Sequence, residues 1–353
     1  MKNLTLVVLA AVAVSCGDNT SRVTGKTCAG CRDSNQLCLA GTEVAACGAS
    51  GVSCVACASG QACVQGACGV PNSGGGTGTG GGAGGTGGGS GTTADGGLDD
   101  CSAEAKLVYV VDQDRTLSSF NPQLVNTPSG PFVDLGRLTC PSAVGAEPFS
   151  MAVDRDATAW VIYDSGELFT VNVKQLPLDC VKTGFMPQLS VAKFGMGFVS
   201  NSPGSKDETL FISGSDYGSS LSSTRFGTLS TVPPYTITLL GMLPGAPELT
   251  GTGDATLWAF SPNLVPPKVA RLSKATGAVE AAFEAPGLAG TPRAWAFAFW
   301  GGDFFIFLER ATDGSTKVWK MNGATGAVTD VVVDTGRSIV GAGVSTCAPV
   351  MIN

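Results

Sequence analysis

From Leu107 onward the chain is written in short apolar runs separated by turn residues: LVYVV at 107–111, AWVIY at 159–163, LFIS at 210–213, LWAF at 257–260 and FFIFL at 304–308. Runs this short, rich in β-branched and aromatic residues and bounded by Gly, Pro, Asp and Ser, predict strands. They also repeat. Aligning the aromatic residues Tyr109, Trp160, Phe211, Trp258 and Phe307 in the contexts AKLVY, DATAW, DETLF, DATLW and DFFIF gives intervals of 51, 51, 47 and 49 residues. A second match fixes the phase: KVARLSKATGAV at 268–279 recurs as KVWKMNGATGAV at 317–328, an offset of 49, the same as Trp258 to Phe307.

In the fourth unit an inner segment near Glu248 to Gly253 leads to Leu257–Phe260, then Lys268–Leu272, then Val279–Phe283. That spacing leaves no room for a helical crossover and suits four antiparallel strands per repeat, which is the signature of a propeller blade. Five copies predict an all-β, five-bladed propeller over 101–353. The first copy begins at its second strand, whereas residues 339–346 fall where a further first strand would lie, so the C-terminal strand is expected to supply the missing inner strand and close the ring. An inner strand ending at Cys347 would run antiparallel to one starting just after Cys101, which predicts a bond between these two cysteines. Cys140 and Cys180, near the outer strands of the first two blades, are expected to pair as well. Under this reading Asp156, Asp207, Asp254 and Asp303 are turn residues, because Asp bonds its own backbone in turns.

The first hundred residues have a different texture. Eight cysteines crowd 28–69 as Cys28, Cys31, Cys38 and Cys47, then Cys54, Cys57, Cys63 and Cys68, each half repeating CxxC, a third Cys and a closing Cys-Gly. No aromatic residue lies between 17 and 68, so a hydrophobic core is lacking and covalent staples are expected in its place. Eight cysteines leave 105 connectivities open. The competing reading is a zinc ribbon built from the two CxxC pairs. Residues 70–100 follow as a Gly/Thr/Ser-rich stretch with 15 glycines between 74 and 97, a composition expected to be a disordered linker with a reach of ~30 Å.

At the start, Met1-Lys2-Asn3 precedes an apolar run from Leu4 to Val14 and then Ser15-Cys16-Gly17. A run of that length is too short to span a bilayer and reads as an export signal. Ala13-Val14-Ser15-Cys16 resembles the lipobox of bacterial lipoproteins, with Ala13 where such boxes most often carry Leu. The overall layout resembles uncharacterised bacterial lipoproteins with a Cys-rich leader and a C-terminal propeller-like domain. The resemblance implies a signal peptide over 1–15, cleavage before Cys16, lipidation of Cys16, a tether over 16–27 and attachment to the outer membrane. Gly17, in place of Asp, is compatible with that sorting. An ordinary secretory signal is the alternative. Export favours paired over reduced cysteines, and so disulfides over zinc.

The net charge is -7 with 14% charged residues and no Lys/Arg cluster, which gives nucleic acid no footprint to bind. The chain contains no histidine, which removes the commonest general base and the Ser-His-Asp and Cys-His arrangements. Paired carboxylates remain open as glycosidase chemistry. Within the inner segments the acid is Glu248, with Asp154 and Asp254 at strand ends. Asp112-Gln113-Asp114 and Asp154-Arg155-Asp156 begin like calcium loops, but neither has Gly at the sixth position or Glu at the twelfth. Trp295, Phe297, Phe299 and Trp300 form the densest aromatic stretch. Glu248 and Trp295 are therefore the candidates for a binding site at the axis. The reading that results is noncatalytic recognition or scaffolding of an envelope protein or glycan, with membrane attachment through the lipid, no cofactor, no metal and no nucleic acid. The alternative is a carbohydrate-active hydrolase.

Overall fold

The computed structural model describes residues 101–218 and 222–352, together with 31–33, 38–39, 42–43, 46–48, 52–57, 62–64 and 67–69. The expected signal peptide, Cys16, the expected tether and the Gly-rich stretch fall outside the described residues. The chain divides into two compact units, 1–88 and 89–353.

In the first unit, Cys31–Arg32 pairs with Cys38–Leu39, Thr42–Glu43 with Ala46–Cys47, and Ala62–Val64 with Ala67–Gly69. Cys31 is bonded to Cys54 and Cys47 to Cys63, and Cys57 is also disulfide-bonded. Both resolved bonds cross between the two sequence halves instead of closing each half on itself. The side chains of Cys28, Cys38 and Cys68 lie outside the described residues. Among those described, no group of three or more His, Cys, Asp or Glu is placed to hold a metal.

The second unit is a five-bladed propeller of four-stranded antiparallel sheets. Blade two runs from the inner strand Pro148–Val153 through Thr158–Tyr163 and Leu168–Asn172 to Cys180–Lys182. Blade three comprises Lys193–Ser200, Glu208–Ser215, Ser223–Leu229 and Ile237–Pro244, and blade four Glu248–Gly251, Leu257–Ser261, Lys268–Leu272 and Val279–Glu284. Blade five is Pro292–Trp300, Asp303–Arg310, Lys317–Asn322 and Val328–Val332. Blade one is made from both ends of the domain: Ile339–Val344 pairs with Val108–Asp112, which is followed by Thr116–Phe120 and Phe132–Arg137. Each inner strand packs on the next around the ring.

Alternation along each strand sends successive side chains to opposite faces, so every blade presents one set to its predecessor and one to its successor. Five buried clusters result, one at each interface between neighbouring blades. At the axis the inner strands approach backbone to backbone. A Cβ on Gly197 would lie 2.9 Å from the Leu249 carbonyl oxygen, and one on Gly343 would lie 2.8 Å from the Ala152 carbonyl carbon. The small residues that make the inner strands look featureless in sequence are what lets five blades meet.

Two disulfides brace the ring. Cys101 is bonded to Cys347, which brackets the closing strand, and Cys140, just after the outer strand of blade one, is bonded to Cys180 in the outer strand of blade two.

The repeated pentapeptide has a local cause that differs from the sequence expectation. In DATAW and DATLW it is the residue two places before the Asp that caps the turn. The Asp154 carboxylate accepts from the amides of Asp156 and Thr158, and the Thr252 hydroxyl oxygen accepts from the amide of Thr256. The Ala of each copy then takes a left-handed backbone, with φ of 59° at Ala157 and 67° at Ala255. Thr158 and Leu257 begin or nearly begin the next strand, which plants Trp160 or Trp258 between blades. Blade four's inner strand accordingly ends at Gly251, two residues earlier than the sequence suggests, because Thr252 already belongs to the turn.

Candidate functional site

Chemistry at the axis is concentrated at two levels. At the end where the inner strands begin, Glu248 starts the inner strand of blade four and is buried at 4% exposure. Ser150 on blade two donates its hydroxyl to the Glu248 carboxyl at 2.7 Å, and the Met196 amide on blade three also donates to it. Burial pushes this carboxyl well above the usual carboxylate range, against the lowering effect of the two donors. The Glu248 carboxyl therefore links three blades across the axis.

Trp295 lies near the same end, on the inner strand of blade five, and donates its indole N–H to the Ala246 carbonyl at 3.1 Å. Its ring belongs to the cluster between blades four and five. The two candidate residues thus occupy one end of the axis but engage different partners. Phe297 is buried in the same cluster, and Trp300 donates to the Lys106 carbonyl at 2.7 Å, which ties blade five to the start of the domain.

The acids expected to accompany Glu248 are elsewhere. Asp154 follows the inner strand of blade two, four residues beyond Ser150, and Asp254 lies in the turn after Gly251. Four residues of strand separate Ser150 from Asp154 and Glu248 from Thr252 by about 13 Å each. Asp154 is turned back on its own hairpin, where it accepts from the Trp160 indole at 3.0 Å, and Asp254 accepts from the Thr252 hydroxyl. Asp112 caps its turn by accepting from the Thr116 amide at 2.7 Å. All three serve turns, although the sequence reading assigns that role to Asp156 and Asp254 and not to Asp154.

At the opposite end of the axis is a cluster that sequence reasoning missed. Glu208, at the start of blade three's second strand, accepts from the Arg155 amide at 2.9 Å and from the Thr346 hydroxyl at 2.8 Å. The Arg155 guanidinium reaches Thr346 Oγ1 at 3.2 Å and the Cys101 sulfur at 3.3 Å. Burial pushes the Glu208 carboxyl up to about 7, opposed by the two hydrogen bonds. Blades two and three and the chain closure meet here. No local motif marked this cluster, since its members are 191 residues apart at the widest.

The described surface also carries hollows, one of them, of about 310 Å³, beside Glu208 and Thr209 on blade three. A polar one of about 250 Å³ is lined by Gln113, Asp114, Glu147, Ser315, Arg337 and Ser338, from connectors at the end where inner strands begin. Gln113 donates to Glu147 at 2.7 Å, and Arg337 is held by Asp134 at 2.8 Å. A third, of about 340 Å³, is an apolar cleft between blades three and four.

Comparison of the sequence with family models finds no match, and comparison with curated proteins finds none. Solved structures share the fold at low likeness. A chain of the mitotic checkpoint complex is 14% identical, with 64% of this chain and 61% of that one covered and a TM-score of 0.32. TolB from Acinetobacter baumannii is 12% identical over 64% of this chain and 52% of that one, with a TM-score of 0.36. An exo-β-1,3-galactanase from Phanerochaete chrysosporium is 10% identical over 63% and 53%, with a TM-score of 0.39. The chain covers less than two thirds of each of these three structures. A likeness of this size carries no function from one protein to another.

Proposed function

We propose that the protein is a noncatalytic recognition protein, held on the bacterial outer membrane by a lipid on Cys16, whose propeller binds a protein or glycan of the cell envelope. The distance of Glu248 from Asp154 and Asp254 is the observation that carries the noncatalytic half. A glycosidase needs two carboxyl groups about 5 to 9.5 Å apart, one of them ionised or poised to be. The Glu248 carboxyl accepts from Ser150 and from the Met196 amide and lies about 13 Å of strand from the level of Asp154 and Asp254. Beside it the inner strands of blades three and four meet backbone to backbone at Gly195 and Gly197.

The recognition half is supported by what remains at the connector end: a rigid disulfide-braced ring, a polar hollow with donors and acceptors, and an apolar cleft. Fold alone implies no activity. The anchor rests on the residues from Met1 to Gly17, and a single acyl chain would bind a membrane weakly where two or three hold it firmly.

The test is turnover. Full-length oxidised protein is incubated with a panel of chromogenic glycosides beside its Glu248→Gln variant. The expected result is no release of chromophore by either. Release by the unsubstituted protein that disappears in Glu248→Gln would replace this reading with the hydrolase. Mass spectrometry of the N-terminal peptide checks the anchor separately, with an acylated Cys16 as its first residue expected and an unmodified thiol contradicting it.

A further inference from the structure

The internal repeat shows what the apolar cleft lacks. In the twelve-residue match between blades four and five, Ala270 stands where the later copy has Trp319. Both sit on the third strand and face the preceding blade. Trp319 is buried at 5% exposure, is part of the cluster between blades four and five, and carries the Arg310 guanidinium 5.1 Å from its ring centroid. Its cross-strand neighbours are Ile306 and Asp330. Ala270 instead lies between Ala259 and Ala282, so three methyl groups face blade three in a row.

The connector differs in the same sense. Between blades four and five, residues 285–291 include a short 3₁₀ turn, Pro286–Leu288, whose buried Leu288 packs into the cluster with Trp319. Between blades three and four only residues 245–247 connect the strands, with no 3₁₀ turn, and of these Pro247 lines the cleft. The indole and the leucine plug are both missing, and the cleft of about 340 Å³ is what their absence leaves.

We infer that this cleft is an anchor site for a tryptophan side chain presented by a protein partner. This rests on the recognition reading and names the chemistry of one contact within it. The walls are aliphatic, from Leu243, Pro244, Leu264 and Leu272 among others, which suits a ring and offers a glycan almost nothing to hydrogen-bond. Lys268 lines the cleft while its ammonium is held 3.1 Å from Glu284, so a cation stands beside the cleft as Arg310 stands over Trp319. Val265, 96% exposed at the mouth, offers a partner backbone an apolar rim. Buried aromatic anchors in preformed pockets are where binding energy concentrates in protein interfaces.

The experiment uses N-acetyl-tryptophanamide as probe, titrated into oxidised full-length protein and followed by saturation-transfer NMR. Saturable binding is expected, at least tenfold weaker in Ala270→Trp, whose own indole fills the cleft. N-acetyl-leucinamide is expected to bind at least tenfold more weakly than the tryptophan probe. If Ala270→Trp does not fold, Ala282→Leu narrows the same space and carries the same expectation. Absence of saturable binding, binding unchanged in the filled variant, or preferential binding of decanoate would overturn the inference. Each of those results leaves noncatalytic recognition standing, whereas glycoside turnover would overturn that reading and leave the cleft untouched.

Discussion

Removing the Cys101–Cys347 bond should cost more stability than removing any other single link in the propeller. The bond joins residues 246 apart and the Cys140–Cys180 bond joins residues 40 apart. Loop-closure entropy grows with the logarithm of that separation, which gives about 5 kcal/mol for the first bond and about 4 for the second at 25 °C. For a domain of this size about 5 kcal/mol corresponds to a fall of roughly 10 to 20 °C in Tm. The perturbation is the double substitution Cys101→Ala/Cys347→Ala, compared with Cys140→Ala/Cys180→Ala, so that neither leaves a free thiol. Both are followed by guanidinium unfolding with an intrinsic fluorescence readout. Because Cys347 is buried, a sulfur-to-methyl loss adds to the entropy term; reducing the Cys140→Ala/Cys180→Ala protein removes the long bond with its sulfurs in place and separates the two contributions. A loss below about 1 kcal/mol for the long bond would show that the strand pairing of Ile339–Val344 with Val108–Asp112 holds the ring unaided, and would refute the reasoning.

Glu248→Ala should cost about 3 kcal/mol, since it opens a cavity and strands the Ser150 hydroxyl and the Met196 amide, while Glu248→Gln should stay within about 1. Because the folded carboxyl is raised above its unfolded value, the unfolded chain releases that proton first; the contribution of Glu248 to stability is therefore greatest at acid pH and falls as pH rises, and Glu248→Gln should remove that fall. Glu208, raised to about 7, adds a decline of the same sign between its unfolded value and about pH 7, which Glu208→Gln should remove in pH-dependent melting curves. Ala255→Gly should raise stability by about 1 kcal/mol in chemical denaturation, because φ of 67° strains any residue with a Cβ. Gly197→Val should destabilise by at least about 2 kcal/mol by driving side-chain atoms into the Leu249 backbone, with loss of a cooperative melt as the extreme outcome.

The propeller was legible because its repeat leaves aromatic residues in register: Tyr109, Trp160, Phe211, Trp258 and Phe307 all fall on second strands. Closure by the C-terminal strand was legible from a missing inner strand at one end and a surplus one at the other. The turn chemistry was misassigned because Asp154 and Asp156 offer the same side chain two residues apart, and only geometry tells which carboxylate faces the amides. Glu248 stood out as the acid of the inner segments, but not as a clamp between blades, since Ser150 and Met196 lie on other blades. The Arg155–Glu208–Thr346 cluster left no sequence signal for the same reason. The cleft did leave one: Ala270 against Trp319 is written plainly in the twelve-residue match, although an alanine in a repeat reads as tolerance until a volume is measured.

The most direct test of the recognition claim is capture from the detergent-solubilised envelope of the source organism on immobilised, oxidised full-length protein, with retained species identified by mass spectrometry. A single protein or glycan that survives salt washing, saturates, and binds again when purified is the predicted result. Retention of nothing, together with measurable glycoside turnover, would contradict the account.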